Sequence, residues 1–316
     1  MNRIFGGGLL VAGIGVAMVG CSADYQSSQS EPSAGASEGL HSELNPAAFD
    51  KKVHETRPQG DAKPVRGGGG GNGISYHNGP VVLGTPNIYL IWYGNWASNS
   101  ATSILTDWAS GIGGSAYYNI NSTYYDGSNA HVANAAHYAG STNDSYSQGT
   151  SLSDAQIQTV VATALTSAAL PTDPNGVYFV LTSADVTASS GFCTQYCGWH
   201  THGTINGTKI RYSFVGNPDR CPSACAAQTT GPNGNAGADG MASILSHEFE
   251  ETTSDPDGNA WYDSTGKENG DKCAWTFGTE STASNGAKYN MTFGGRNWLI
   301  QQNWVNAGGG YCALSY

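Results

Sequence analysis

Residues 237–263 have the sequence GADGMASILSHEFEETTSDPDGNAWYD, and this stretch decides how the rest of the chain is interpreted. Apolar residues recur at helical spacing between a start signal at Asp239 or Gly240 and a stop signal at Pro256. The pattern therefore predicts a helix over about residues 240–253.

Three ionisable side chains fall on the apolar side of this predicted helix. At about 100° per residue, Glu251 lies roughly 40° and Glu248 roughly 100° from His247, among the apolar positions. Glu250, at roughly 300°, is predicted to face solvent. Burying two carboxylates and an imidazole without partners would cost several kcal/mol each, and a bound cation is the simplest compensation.

The spacing of these residues is a variant of a known metal-binding motif. His247, Glu248 and Glu251 form HExxE, which is HExxH with glutamate in place of the second histidine. In that geometry the first and last residues hold the metal, and the glutamate between them activates a metal-bound water. The motif predicts His247 and Glu251 as ligands and Glu248 as the catalytic base. The alternative is a helix whose polar groups only hydrogen-bond to backbone or to a lysine, since short motifs often match by chance.

A third ligand is expected elsewhere in the chain, because one helix face does not enclose a cation. Glu268 and Asp271, in the downstream segment KENGDKC, are equal candidates. His200 is a further candidate, either as a ligand or as a residue that lines the cleft. Zinc is the expected metal, although a carboxylate-rich ligand set also suits manganese or calcium.

The first 21 residues, MNRIFGGGLLVAGIGVAMVGC, resemble a bacterial lipoprotein signal. The lipobox is Met-Val-Gly-Cys, which has Met18 where leucine is usual. The apolar core of about sixteen residues is too short and glycine-rich for a transmembrane span of roughly twenty. The segment predicts an exported protein, extracellular or held at the outer membrane or cell surface by a lipid anchor on Cys21.

Cysteine usage also indicates export. Six cysteines follow the predicted signal, and an even number suits three disulfides in an oxidising compartment. A zinc site built from the two Cys-x3-Cys segments, residues 193–197 and 221–225, is the less favoured alternative, because exported proteins seldom keep free thiolates. Many connectivities are formally allowed. The expected pairing is Cys193 with Cys197, Cys221 with Cys225, and Cys273 with Cys312.

Charge and composition limit which partners and which domain organisation are expected. The net charge of −11, with 12% charged residues, argues against nucleic acid, which requires a basic face. Residues 22–73 have almost no apolar periodicity and are predicted to be a disordered Gly/Ser-rich tether. The folded domain is predicted over residues 74–316, which is long enough for one core.

Several segments of this domain predict regular structure. The hydrophobic runs NIYLIWY and VYFVLT predict buried strands, and Asn206-Gly207 between alternating residues predicts a hairpin. Helices are predicted over about residues 101–112 and 154–169, the second capped by Ser153. Together these elements predict a single α+β, zincin-like domain in which a mixed sheet packs against helices and disulfides stabilise the fold.

Motifs spread along the domain resemble one family. They include SYHNGP, NIYLIWYGNW, VYFVLTSADV, FCTQYCGWH, CPSAC and DGMASILSHEFEET. The chain resembles the EXORDIUM or phosphate-induced protein family, secreted plant cell-wall proteins linked to growth and cell expansion. The resemblance implies that the HExxE helix, Glu268, Asp271 and the six cysteines are family features, and that the location is extracellular. It implies no settled activity. The lipobox and tether depart from the plant pattern, so a plant growth role is not carried over.

Two classes of function follow, and the sequence leaves open whether the chain is an enzyme. The first is an exported lipoprotein with a divalent-metal site that acts as a metallopeptidase-type hydrolase on peptides. The second is a non-catalytic surface or matrix protein whose HExxE cluster is structural, with exposed Trp and Tyr residues binding cell-wall polysaccharide. A serine nucleophile is not indicated, because no GxSxG elbow occurs in the predicted folded domain.

Overall fold

The structure is a computed structural model of the chain that describes residues 54–56 and 73–316. The predicted signal with Cys21 lies outside the described residues, as does the predicted tether except for residues 54–56 and 73. The described residues form an α+β fold in which helices cover a mixed sheet. None of the helices described is long and apolar enough to cross a membrane.

The described part of the chain contains many short strands and three helices of more than ten residues. The strands are β1 (His54–Thr56), β2 (Ser75–Tyr76), β3 (Asn87–Tyr93), β4 (His137–Asp144), β5 (Ser151–Leu152), β6 (Gly176–Thr182), β7 (Thr187–Ala188), β8 (Gly198–Ile205), β9 (Thr208–Val215), β10 (Trp261–Tyr262), β11 (Ser281–Thr282), β12 (Lys288–Tyr289), β13 (Met291–Phe293), β14 (Arg296–Trp298), β15 (Asn303–Val305) and β16 (Tyr311–Ala313). The α-helices are α1 (Ala101–Gly111), α2 (Asp154–Thr166), α3 (Pro222–Cys225), α4 (Ala236–Ser254) and α5 (Asn269–Lys272), and 3-10 helices lie at Tyr118–Thr123 and Pro218–Arg220.

The main sheet has six strands in the order β1-β8-β9-β6-β3-β4. Strands β4, β3, β6 and β9 run parallel, whereas β8 is antiparallel to β9 and β1 is antiparallel to β8. Every residue of β6 is buried, and all but the first of β3. Burial on both faces explains the unbroken apolar runs of these two strands, and both predicted strands are confirmed.

The hairpin between β8 and β9 places an antiparallel strand pair beside the motif helix. Asn206 and Gly207 have φ angles of 51° and 72°, as a two-residue turn of type I′ requires. The predicted hairpin is confirmed. Its register pairs His200 with Ser213, so that the imidazole is carried on β8 where this strand packs against α4.

The helices begin close to their predicted caps, with one exception. Ser153 caps α2 in a capping box with Gln156, as the sequence predicts. Helix α4 begins earlier than predicted, because Asn235 accepts a hydrogen bond from the backbone N–H of Ala238 at 3.0 Å. Asp239 instead accepts hydrogen bonds from Asn233.

Helix α4 is buried on all sides, so the prediction that Glu250 faces solvent is wrong. Every residue from Met241 to Ser254 is buried, and Glu250 is 0% exposed. Strands β8 and β9 cover one side of the helix, and α1, α5 and the 3-10 helix at Tyr118–Thr123 cover the others. Helical periodicity identifies the face with the most apolar groups, but it does not reveal that other elements cover the opposite face.

Aromatic packing holds α4 against its neighbours. Phe249 stacks on Tyr118 with ring centroids 5.0 Å apart and meets Trp108 edge-on at 6.2 Å. The indole N–H of Trp108 donates a 2.9 Å hydrogen bond to Ser246. These contacts fix the rotation of α4, and with it the direction in which His247 points.

The disulfides differ from the expected pairing in two of three cases. Residue 221 and residue 225 lie one helical turn apart and face the same side, so they bond to the neighbouring Cys-x3-Cys segment and not to each other. The Cα–Cα distances of these two bridges, 5.8 and 5.5 Å, suit disulfides. The third expected pair is confirmed. The disulfides are Cys193–Cys221, Cys197–Cys225 and Cys273–Cys312.

This pairing is testable without a crystal. Three trypsin sites, including Lys209 and Arg220, lie between the two Cys-x3-Cys segments. Mass spectrometry of an unreduced digest should find the two segments in one disulfide-linked product that separates on reduction. Recovery of the two segments as separate, internally bridged peptides would contradict the structure.

The pairing of β1 with β8 predicts a second measurable effect. Glu55 lies opposite Trp199, and successive N–H groups of a strand alternate in direction. Prolines at both His54 and Glu55 therefore remove at least one N–H that faces β8. Hydrogen exchange at β8 should be faster in this double variant than in the His54→Ala/Glu55→Ala control. Equal exchange in the two variants would argue against the pairing.

Candidate functional site

Six ionisable side chains from three elements meet beside α4, and they are called here the acid–histidine cluster. Asp271 is 19% exposed and each of the others is at most 1% exposed. The cluster consists of His247, Glu248 and Glu251 from α4, His200 from β8, Glu268 at the N-cap of α5, and Asp271 in α5.

The first half of the cluster surrounds His247. Its Nε2 lies 2.9 Å from Glu251 Oε1 and 3.8 Å from Asp271 Oδ1. Ligand atoms about 2.1 Å from a zinc ion lie about 3.4 Å apart in a tetrahedron, which falls between these distances. The structure therefore brings three of the sequence-predicted ligands together and puts Asp271, not Glu268, beside His247.

The second half of the cluster surrounds His200, which the sequence offered as a ligand or as a cleft residue. Its Nδ1 lies 3.2 Å from Glu248 Oε2 and 3.5 Å from Glu251 Oε2, and its Nε2 lies 3.8 Å from Glu268 Oε2. In each of the triples His200–Glu248–Glu251 and His247–Glu251–Asp271, one atom per residue lies within 4.8 Å of the others. Glu251 belongs to both triples.

Outer contacts orient the first triple. The side-chain amide of Gln301 contacts Nδ1 of His247, which leaves Nε2 directed at Glu251 and Asp271. The backbone N–H of Asp271 donates to Glu251 Oε1 at 3.0 Å. At metal sites, hydrogen bonds of this kind to the ligand side chains fix the orientations of the imidazole rings and carboxylates. Gln301 is distant in sequence from the HExxE helix and belongs to no metal-binding motif, so the sequence did not reveal its contact with His247.

Two glycines allow the three elements to approach. A Cβ on Gly270 would lie 2.9 Å from the His247 ring, and one on Gly198 would lie 2.6 Å from Ile244 Cγ2 and 3.1 Å from Glu248 Oε1. The distances of 2.9 Å at Gly270 and 2.6 Å at Gly198 are shorter than real Cβ atoms allow. A side chain at either position would push α5 or β8 away from α4 and open the cluster.

Burial and mutual charge set the protonation of the cluster. Burial raises the pKa of Glu248, and burial together with the charge of Glu251 raises the pKa of Asp271 to about 7. Burial lowers the pKa of His247, but Glu251 and its neighbours outweigh burial and raise it to about 9. In the same way, Glu248 and Glu251 overcome burial and raise the pKa of His200 to about 10. Positive charge is strongly favoured at this position.

Within residues 73–316, the charged partners of Glu251 and Asp271 are histidines and not lysines or arginines, while Lys272 pairs with Asp263 at 3.0 Å. Glu251 Oε2 is buried and has no hydrogen-bond partner among the described residues. A buried polar atom in this state costs about 1–3 kcal/mol, which a bound cation would offset.

Glu250 is also buried but stands apart from the cluster. Burial raises its pKa well above the usual range, and the neighbouring Asn303 acts in the opposite direction. Glu250 is part of the buried packing of α4. It is not a ligand candidate.

A pocket lies beside the cluster along α4. Ser243, Ile244, Trp275 and Leu299 contribute to its lining. Gln301 also lines it and contacts His247, which joins the pocket to the cluster. An apolar side chain of a bound molecule could therefore lie near the candidate metal position.

The fold and the site together define a disulfide-stabilised α+β domain with a buried acid–histidine cluster. Three disulfides fit an exported or extracellular protein. Residues 74–312 match the phosphate-induced protein 1 conserved region, and the chain belongs to this family. The resemblance seen in the sequence motifs is confirmed.

Curated relatives agree with this assignment. The chain is 36% identical over 273 residues to Protein EXORDIUM-like 5 of Arabidopsis thaliana, covering 73% of this chain and 75% of that protein. It is 32% identical over 271 residues to EXORDIUM-like 3 of the same plant, with 73% and 80% covered. Protein PHOSPHATE-INDUCED 1 of Nicotiana tabacum is 28% identical over 225 residues, with 60% and 67% covered. No solved structure matches the chain.

Metal binding by the cluster predicts a change in thermal stability. A free ion concentration of 100 times the Kd stabilises the folded state by about 2.7 kcal/mol. This raises Tm by roughly 5–10 °C for a domain of this size. Calorimetry of metal-stripped protein with added Zn²⁺ or Mn²⁺ should show this rise. The rise should shrink in Asp271→Asn and persist in Glu280→Gln, which changes an exposed carboxylate. No rise with either metal would remove the basis for a metal site.

Proposed function

We propose that the chain is a divalent-metal-dependent hydrolase that acts on peptide bonds, with the ion held by His247, Glu251 and Asp271. One observation carries the proposal. The helical pair His247 and Glu251 converges with a downstream carboxylate at 2.9–3.8 Å inside a buried cluster, with Glu248 next to them. Zinc is the expected ion, and the carboxylates also suit manganese or calcium.

The residues of the cluster have distinct roles in this proposal. A bound divalent ion would lower the pKa of its water toward neutrality. Glu248 would act as the general base toward that water, and burial raises its pKa toward the operating pH, as this role requires. His200, 3.2 Å away, fixes the orientation of the Glu248 carboxylate.

The proposal extends to the fold type. We infer a zincin-like arrangement because the HExxE helix packs against the sheet at its single reversed strand, β8. The third ligand then comes from a short helix after the motif, α5, as a site built on one helix face requires. This inference rests only on how α4, β8 and α5 are placed relative to one another.

A specific observation favours a second candidate, a non-catalytic surface protein. Asp271 is the sole member of the cluster with appreciable exposure, at 19%, so access from solvent is narrow. The cluster would then only hold α4 to β8 and α5. The expected aromatic surface for polysaccharide is not found as predicted, because no tryptophan is exposed and the exposed large aromatics of the described residues are Tyr311 and Tyr316.

We also propose that the mature chain is an exported lipoprotein anchored to a membrane through a lipid on Cys21. The lipobox-like sequence before Cys21 and the three disulfides support this location. Peptides of the cell envelope or the surroundings would be the accessible substrates.

The Glu248→Gln variant tests catalysis separately from metal binding. Removing a general base should lower kcat by about 10²- to 10⁴-fold, while His247, Glu251 and Asp271 keep the ion. Digestion of a peptide library followed by mass spectrometry, together with elemental analysis, measures both quantities.

Glu280→Gln is the matched control, since it makes the same chemical change at an exposed position. Wild-type protein loaded with Zn²⁺ or Mn²⁺ that cleaves no peptide would favour the non-catalytic alternative. In that case His247→Ala should lower Tm, and Glu248→Gln should change no biological effect.

A further inference from the structure

We propose that the acid–histidine cluster holds a second divalent cation, between His200, Glu248 and Glu251, and that Glu251 bridges the two ions. This second position rests on the proposed function, because its neighbour is the ion held by His247, Glu251 and Asp271. No motif in the sequence indicates it. It follows from the way β8 delivers His200 to the helix.

The geometry of Glu251 is the first observation. Its two carboxylate oxygens face different imidazoles: Oε1 lies 2.9 Å from His247 Nε2, and Oε2 lies 3.5 Å from His200 Nδ1. A carboxylate with this placement can bind one ion through each oxygen. Hydrolytic sites with two metals hold their ions about 3.5–4 Å apart, a separation that one bridging carboxylate spans.

The buried atom Glu251 Oε2 is the second observation. Glu251 is 0% exposed, and Oε2 has no hydrogen-bond partner among the described residues. The atom is directed at the space between His200 and Glu248, where the second ion would lie. An ion at His247 alone binds Oε1 and leaves this oxygen unsatisfied.

The two imidazoles are arranged alike, which is the third observation. His247 presents Nε2 to the carboxylates and Nδ1 to Gln301. His200 presents Nδ1 to Glu248 and Glu251, and Nε2 faces Glu268 Oε2 at 3.8 Å. A metal-bound histidine characteristically has its other nitrogen paired with a carboxylate or an amide. Glu268 therefore acts as the outer partner of His200, not as a ligand of the first ion.

Occupancy of the second position has a consequence for the proposed reaction. Glu248 Oε2 becomes a ligand of the second ion, so the carboxylate no longer accepts a proton freely. Hydrolysis should therefore be highest with one ion bound and should fall as the second position fills. The second cation would act as an inhibitor supplied by the surroundings of an exported protein.

Metal stoichiometry of the full chain tests the second position without any need for activity. Metal-stripped protein is titrated with Zn²⁺, and in a separate series with Mn²⁺, by calorimetry and by elemental analysis after free metal is removed. We expect two ions per wild-type chain with either or both metals, and one ion in His200→Ala. His202→Ala is the matched control, because His202 lies on the same strand but faces Asp257 at 3.9 Å, outside the cluster, and should keep two ions.

Saturation of wild-type protein at one ion in both series would overturn the second position, as would two ions in His200→Ala. The wild-type stoichiometry decides the question even where His200→Ala fails to fold. Two ions per chain, with no peptide cleavage at any metal-to-protein ratio including one ion per chain, would leave the second position intact and remove the hydrolase proposal. One ion per wild-type chain together with peptide cleavage would overturn the second position and leave the hydrolase proposal intact.

Discussion

The charge buried beside α4 is the constraint on which the rest of the structure depends. Four carboxylates and two imidazoles lie almost entirely out of water, where each unpaired charge costs several kcal/mol. The surrounding elements are arranged to make that burial possible. The hairpin turns β8 back along β9 so that His200 reaches Glu248, and α5 approaches closely enough for the Asp271 N–H to donate to Glu251. Gly198 and Gly270 permit both approaches.

The disulfides stabilise the same three elements. Cys197 immediately precedes β8, and its bridge to Cys225, together with the parallel bridge from residue 193 to residue 221, ties β8 to the segment before α4. Cys273 immediately follows α5 and is bonded to Cys312 in β16. β8 and α5 are thus each cross-linked close to the residues that they contribute to the cluster. Removing a native disulfide typically costs about 2–5 kcal/mol, so the cross-links offset part of the electrostatic cost of the cluster.

Sequence patterns predicted the local features of the fold and part of the site. The strands β3 and β6, the Asn206-Gly207 turn and the Ser153 cap have signals contained within a few residues, and these predictions are confirmed. The HExxE spacing put His247 and Glu251 on one side of a helix. Three features depend on parts of the chain distant in sequence, and no local pattern encodes them. They are the covering of Glu250, the pairing between the two Cys-x3-Cys segments, and the contact of Gln301 with His247.

The edge of β8 beside His200 is covered by a strand outside the family region. β8 is the edge of the sheet within residues 74–312, and an uncovered edge presents unpaired N–H and C=O groups. Residues 54–56 precede that region, yet they pair with Gly198–His200 and pack against α4. The strand that carries His200 is therefore completed by three residues that the family region does not contain, and not by the core that holds the cluster.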